Sequence, residues 1–286
     1  QWLANRGYAV LSVNYRGSTG FGKAFINAAN LEWGRRMHDD LLDAVRWAVA
    51  QKVAMPDRVA IYGGSYGGYA TLVGITMTPD VFACGVDIVG PSNLNTLIGS
   101  IPPYWAPMLE MFKERVGDFS TAEGKTFLES KSPLNFIDKI TRPLLIGQGA
   151  NDPRVKRTEA DQIVEAMKKR GIPVTYVVFP DEGHGFRRPE NNTAFNAVTE
   201  AFLARYLGGR CEAFGDVLTR STAEIPHGDD LVPGLDEALG EDGDDPLDRA
   251  RALGRDDARR AREEPDAEGA GALVGGIRSG DGEPRA

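Results

Sequence analysis

The chain has 286 residues, 42% hydrophobic and 8% aromatic, and 41 acidic against 33 basic side chains give a net charge of −8. That is enough for one globular domain with a sizeable core, and it excludes collagen, coiled-coil and disulfide-stapled folds. The acidic balance argues against nucleic acid as a partner, which needs a basic face, and no run approaches the roughly 20 apolar residues of a membrane span.

In chain order, the first segment that reads as structure is a strand over 8–14, followed by a Gly-rich loop to Gly22. Met37, Leu41, Val45 and Ala48 then recur at helical spacing and predict one apolar helix face. "DRVAIYGG" is a second strand, and the helix "YGGYATLVGITM" starts where it ends. "FACGVDIVG" is a third strand; 92–133 is irregular, rich in Pro and aromatics, with short helices. "PLLIGQG" is a fourth strand, followed by a helix with Ala160, Ile163, Val164 and Met167 on one face, stopped by Gly171 and Pro173. "VTYVVFPD" is a fifth strand, and 193–207 is a closing helix with Phe195, Val198, Phe202 and Tyr206 as its stripe. Short apolar strands separated by helices predict a parallel sheet covered on both faces.

Composition changes near residue 209. No aromatic residue follows Phe214, and no lysine follows Lys169. Residues 229–286 are mainly Gly, Ala, Asp, Glu, Arg and Pro. Such text buries too little apolar surface to offset its ordering entropy. The expectation is therefore a domain over 1–208 and a disordered low-complexity tail over 209–286. Within the tail, 229–286 is predicted to make no tertiary contact, with at most a transient helix over 245–264.

Three residues carry chemistry once the strands are placed. Gly63-Gly64-Ser65-Tyr66-Gly67 is a G-x-S-x-G sequence between a strand and a helix. A turn this tight needs small residues around the serine and holds its hydroxyl above the sheet. The helix N-terminus lies behind it, and the Tyr66 backbone N–H points where an oxyanion forms. Asp152 follows the fourth strand and His184 the fifth, both at carboxyl ends, where open parallel sheets place ligand sites. The order Ser65, Asp152, His184 is that of a nucleophile, an orienting acid and a base in α/β-hydrolases. Asp181 and Glu182 are too near His184 in sequence to be its acid partner. Metal and nucleotide motifs are absent from the sequence, so no metal is expected.

"GGSYGG", "GANDPRV", "DEGHGF" and the upstream "NYRGSTGFG" resemble the catalytic domain of the prolyl oligopeptidase family of serine peptidases, in particular its acylaminoacyl-peptidase-like branch. The resemblance covers about 1–208. It implies an α/β-hydrolase fold that cleaves short peptides without a cofactor, next to an N-terminal β-propeller that limits access to small substrates. By the same resemblance the chain starts just before the fourth strand of such a sheet. It lacks the propeller, the first three strands and the His-Gly-Gly-Pro type loop that supplies a second oxyanion donor. The missing third strand is the central one. The strands at 8–14 and 58–63 would then leave ladder groups unpaired, at about 1–3 kcal/mol for each buried group. The expectation is a fragment of a longer protein, far weaker as a catalyst than an extended form.

Tyr104 and Trp105 are candidates for the pocket beside the scissile bond, with packing onto the sheet as the competing reading. Arg16 reads as part of a structural loop near the active-site edge, and Asp39-Asp40 as a solvated or capping pair. Three functions stay open: a serine-type peptidase, a carboxylesterase with the same triad, and an inactive truncated hydrolase module. With no secretory signal visible and two cysteines that fit a reducing compartment, the expected location is cytoplasmic.

Overall fold

The computed structural model describes residues 1–101, 103–228 and 272–276. In chain order the elements are α1 (Trp2–Asn5), β1 (Tyr8–Ser12), α2 (Lys23–Asn27), α3 (Arg36–Ala50), β2 (Val59–Gly64), α4 (Tyr66–Met77), β3 (Cys84–Ile88), α5 (Leu94–Gly99), α6 (Leu109–Arg115), α7 (Ala122–Glu129), β4 (Leu144–Gly149), α8 (Arg157–Lys169), β5 (Val174–Phe179), α9 (Pro189–Leu207), β6 (Glu224–Gly228) and β7 (Ala272–Gly276). Short 3-10 helices at Pro103–Met108 and Pro133–Lys139 complete the irregular stretch. Among the described residues, no helix is long and apolar enough to cross a membrane.

The strands form one sheet in the order β1-β7-β2-β3-β4-β5-β6. β2, β3, β4 and β5 are parallel. Their residues alternate between two cores. Ile61, Ile146 and Val178 face α3, α4 and α8, through Met37, Leu41, Leu72, Ile75, Ile163 and Met167. Ala60, Leu145 and Val177 face α9, through Phe195, Val198 and Phe202. Burial on both faces is why these strands read as continuous apolar runs. Each fully buried Leu, Ile or Phe contributes roughly 1.5–3 kcal/mol.

α4 is covered all round, with every residue from Gly67 to Thr76 buried. Its polar side chains are satisfied inside that cover: the Thr71 hydroxyl donates to the Val86 carbonyl, and the Thr76 hydroxyl donates to Leu72 O at 2.7 Å. α9 starts earlier than the apolar stripe suggests, because Pro189 fits the first helical position, and it ends on Gly208 at φ +78°.

Two expectations about the end of the chain need correction. Residues 209–228 are not a tail: Phe214 and Leu218 are buried against the α9 face, and β6 pairs antiparallel with β5. Pro226 sits there at a register irregularity on an edge strand, the place where a missing N–H is tolerated. Nor is the slot between β1 and β2 open. β7 runs antiparallel to both, with Leu273 opposite Leu11 on one side and Ile61 on the other. Two facing strand edges present rows of bare N–H and C=O groups, and an extended segment satisfies both rows at once. The predicted lack of contact fails at 272–276; the rest of the predicted disorder, over 229–271 and 277–286, and the transient helix over 245–264 lie outside the described residues.

Candidate active site

Ser65 sits between β2 and α4 with φ +56° and ψ −115°, a conformation that non-glycine residues rarely adopt. Its N–H donates to Ile88 O at 2.8 Å, and its carbonyl accepts the Tyr69 N–H at 3.0 Å. The turn closes only because of its glycines. A Cβ on Gly63 would lie 2.4 Å from the Gly67 carbonyl, and one on Gly68 would lie 2.7 Å from Gly90 Cα. The strain at Ser65 is held in place by the buried helix behind it.

Asp152 lies beyond the carboxyl end of β4, 3% exposed. Its Oδ1 accepts the N–H groups of Arg154 at 2.8 Å and Val155 at 2.9 Å, which fixes the carboxylate plane. Oδ2 is left for His184 Nδ1, at 2.7 Å. His184 Nε2 lies 2.9 Å from Ser65 Oγ. A carboxylate only accepts, so Nδ1 carries the proton and Nε2 presents its lone pair to the serine hydroxyl. Three strand ends thus bring Ser65, His184 and Asp152 into one hydrogen-bonded row.

The Tyr66 N–H lies on the first turn of α4, where N–H groups have no acceptor within the helix. The Tyr66 ring packs at 5.5 Å from Tyr15, 4.6 Å from Trp33 and 5.7 Å from Tyr69, centroid to centroid. Burial pushes its phenol well above the ordinary range, so the ring acts as a neutral wall.

The aromatic pair at 104–105 divides. Tyr104 is 61% exposed. Trp105 packs against Phe112, and the Arg154 guanidinium lies 5.6 Å over its ring, which links that segment to the Asp152 loop.

Asp40 is not simply solvated, as the sequence suggested. It accepts the Arg16 N–H at 2.9 Å, Nε at 2.8 Å and Nη2 at 2.7 Å. Burial alone would raise Asp40, but the Arg16 hydrogen bonds outweigh it and hold the carboxyl below its ordinary value. Glu159, on the first turn of α8, was not singled out by the sequence. It is 1% exposed and accepts the N–H groups of Ser92 at 3.0 Å and Asn93 at 2.9 Å. Neither pairing has a sequence signature, because the donors come from segments distant in the chain, Arg16 for Asp40 and 92–96 for Glu159. Among the described residues, no group of three or more His, Cys, Asp or Glu side chains is placed to hold a metal ion.

The comparisons with known proteins agree with this architecture. Dipeptidyl aminopeptidase BIII of Pseudoxanthomonas mexicana is 68% identical over 239 residues, covering 84% of this chain and 35% of the relative. Dipeptidyl peptidase family member 6 of Caenorhabditis elegans is 56% identical over 225 residues, 78% of this chain and 30% of the relative. An acylamino-acid-releasing enzyme of Arabidopsis thaliana is 32% identical over 198 residues, 67% and 25% of the two chains. The chain thus spans about a third of the length of the first two relatives. Among solved structures, a puromycin-hydrolyzing peptidase of Mycobacterium tuberculosis superposes with a TM-score of 0.65 at 32% identity, over 70% of this chain and 30% of that one. Residues 1–210 match the model of the prolyl oligopeptidase family, and the chain belongs to that family.

Proposed function

We propose that the chain is the catalytic part of a serine peptidase that cleaves short peptides through an acyl-enzyme. The observation that carries this reading is His184, bridging Ser65 Oγ at 2.9 Å and Asp152 Oδ2 at 2.7 Å. In the proposed reaction Ser65 Oγ attacks the scissile carbonyl while His184 Nε2 takes its proton. The Tyr66 N–H and the positive end of α4 stabilise the oxyanion. His184 then gives the proton to the leaving amine, and water repeats the sequence on the acyl-serine. Asp152 keeps the proton of His184 on Nδ1 throughout. Tyr104 and Trp105 are proposed to border the substrate path; the Arg154 guanidinium over the Trp105 ring supports this by tying their segment to the Asp152 loop. The resemblance to enzymes with a propeller implies that the rest of such a protein restricts entry to short peptides.

The names of the Pseudoxanthomonas mexicana and Caenorhabditis elegans relatives favour dipeptides as the released product over N-acylated amino acids. The test is turnover of a dipeptidyl anilide, an acyl-amino-acid anilide and a simple ester by the chain and by its Ser65→Ala variant. The proposal expects anilide release, most from the dipeptidyl substrate, and loss of about 10⁶-fold in kcat in the variant. Hydrolysis of the ester alone would establish a carboxylesterase. No turnover of any substrate by the folded chain would establish an inactive module.

A further inference from the structure

β5 ends at Phe179 and α9 starts at Pro189, so the intervening loop must carry His184 over Ser65 and return. Its backbone has little stiffness of its own where it matters. Gly183 and Gly185 flank the histidine, and Gly185 has φ +95°, open to glycine at no steric cost. Contacts beyond the backbone's own stiffness must hold the imidazole between its two partners.

Glu182 is placed to do so. It is 4% exposed, and its side chain folds from the entering limb of the loop to the leaving limb. Oε2 accepts the Arg187 N–H at 3.0 Å, and Oε1 accepts the Arg188 N–H at 2.9 Å. Oε1 also accepts Asn191 Nδ2 at 2.9 Å, from the first turn of α9. On the main chain, the Glu182 carbonyl accepts the Asn151 N–H at 2.9 Å, next to Asp152. One residue therefore closes the loop into a ring, fastens it to α9 and fastens it to the Asp152 loop. Hydrogen bonds to an ionised acceptor are stronger than neutral ones, and the α9 N-terminus adds a favourable field.

We propose that Glu182 is a positioning residue that sets the His184 ring between Asp152 and Ser65. The kinetic part of this inference rests on the peptidase reading above; the geometric part does not. The test uses the full chain with Glu182→Gln, Glu182→Ala and Asp181→Asn. Asp181 shares the loop and also reaches its far limb, through Arg188 Nη1 at 2.6 Å and Asn191 Nδ2 at 3.0 Å. It does so from a partly exposed carboxylate and through side chains only, and it holds none of the backbone N–H groups of the leaving limb that Glu182 holds. The readouts are the downfield proton resonance of His184 Nδ1–H, circular dichroism, and kcat with KM.

Glu182→Gln turns an N–H donor toward other donors. It should fold, shift or broaden the downfield resonance, and lower kcat by about 10²-fold with KM little changed, the scale of a misplaced catalytic group. Asp181→Asn should leave the resonance and kcat near wild type. If Glu182→Ala does not fold, Glu182→Gln decides alone. If wild type lacks turnover, the resonance decides: a change in Glu182→Gln supports the inference even though the peptidase reading has failed. A folded Glu182→Gln protein with the wild-type resonance overturns it, and so does an equal loss in Asp181→Asn.

Discussion

The four parallel strands β2 to β5 and the two strands from the last quarter of the chain, β6 and β7, belong to one sheet but arise differently. The parallel strands are apolar on both faces and are placed by what their side chains bury. β6 and β7 come from text with no aromatic residue after Phe214, and both run antiparallel to their neighbours. Their places are set by ladder groups that β1, β2 and β5 would otherwise leave bare. Apolar content predicts where side chains are buried. It does not predict which segment a strand edge recruits.

Four variants probe this contrast. Phe202→Ala removes a fully buried ring from the α9 face. It should cost about 3–5 kcal/mol, seen as a large drop in denaturant midpoint; a loss well below that would mean that the α9 core does not dominate.

Asp87 tests the cost of burial on both faces. It is fully buried in β3, and burial pushes its carboxyl up from 3.8 to about 7, against the hydrogen bond from Gly90 N–H. The folded state therefore keeps a proton that the unfolded chain has released. The resulting stability is full below about pH 4 and is lost as pH rises to about 7. Asp87→Asn keeps the acceptor for Gly90 and removes this slope. The wild-type minus variant stability should fall by on the order of 4 kcal/mol across that window. Parallel pH curves for the two proteins would contradict the account.

Leu273→Pro strikes the other region. Proline removes a ladder donor from a strand flanked on both sides, leaving a neighbour's acceptor unpaired at about 1–3 kcal/mol. An unchanged midpoint would show that β7 contributes nothing to the sheet. Asp40→Asn should be the mildest, because the Arg16–Asp40 pair is partly exposed and such pairs give about 1 kcal/mol or less. Its main expected effect is faster proteolysis of the 16–22 loop, read by limited digestion.

Legibility follows the same division. The sheet from β2 to β5, α3, α4, α8 and most of α9 carry their own periodicity, and the structure places them close to where it put them. Ser65, Asp152 and His184 were visible because each sits at a strand end in a distinctive local sequence, and the structure brings them into contact. β7 left only a faint trace: residues 269–277 form the longest uncharged run between 229 and 286. Residues 209–228 were read as tail because Phe214 and Leu218 are sparse anchors in otherwise polar text. Glu182 was weighed only as an acid for His184 and set aside as too close in sequence. That same closeness lets it reach the backbone N–H groups on the far limb of the loop, and backbone donors leave no mark in a sequence.

The central claim is that three strand ends place His184 to take the Ser65 proton while Asp152 holds the imidazole. Its most direct test is mass mapping of the folded chain after exposure to a fluorophosphonate, beside His184→Ala. The account predicts a single adduct on Ser65 in the wild-type chain, formed orders of magnitude more slowly in the variant. No adduct on Ser65, or labelling at an equal rate in His184→Ala, would contradict it.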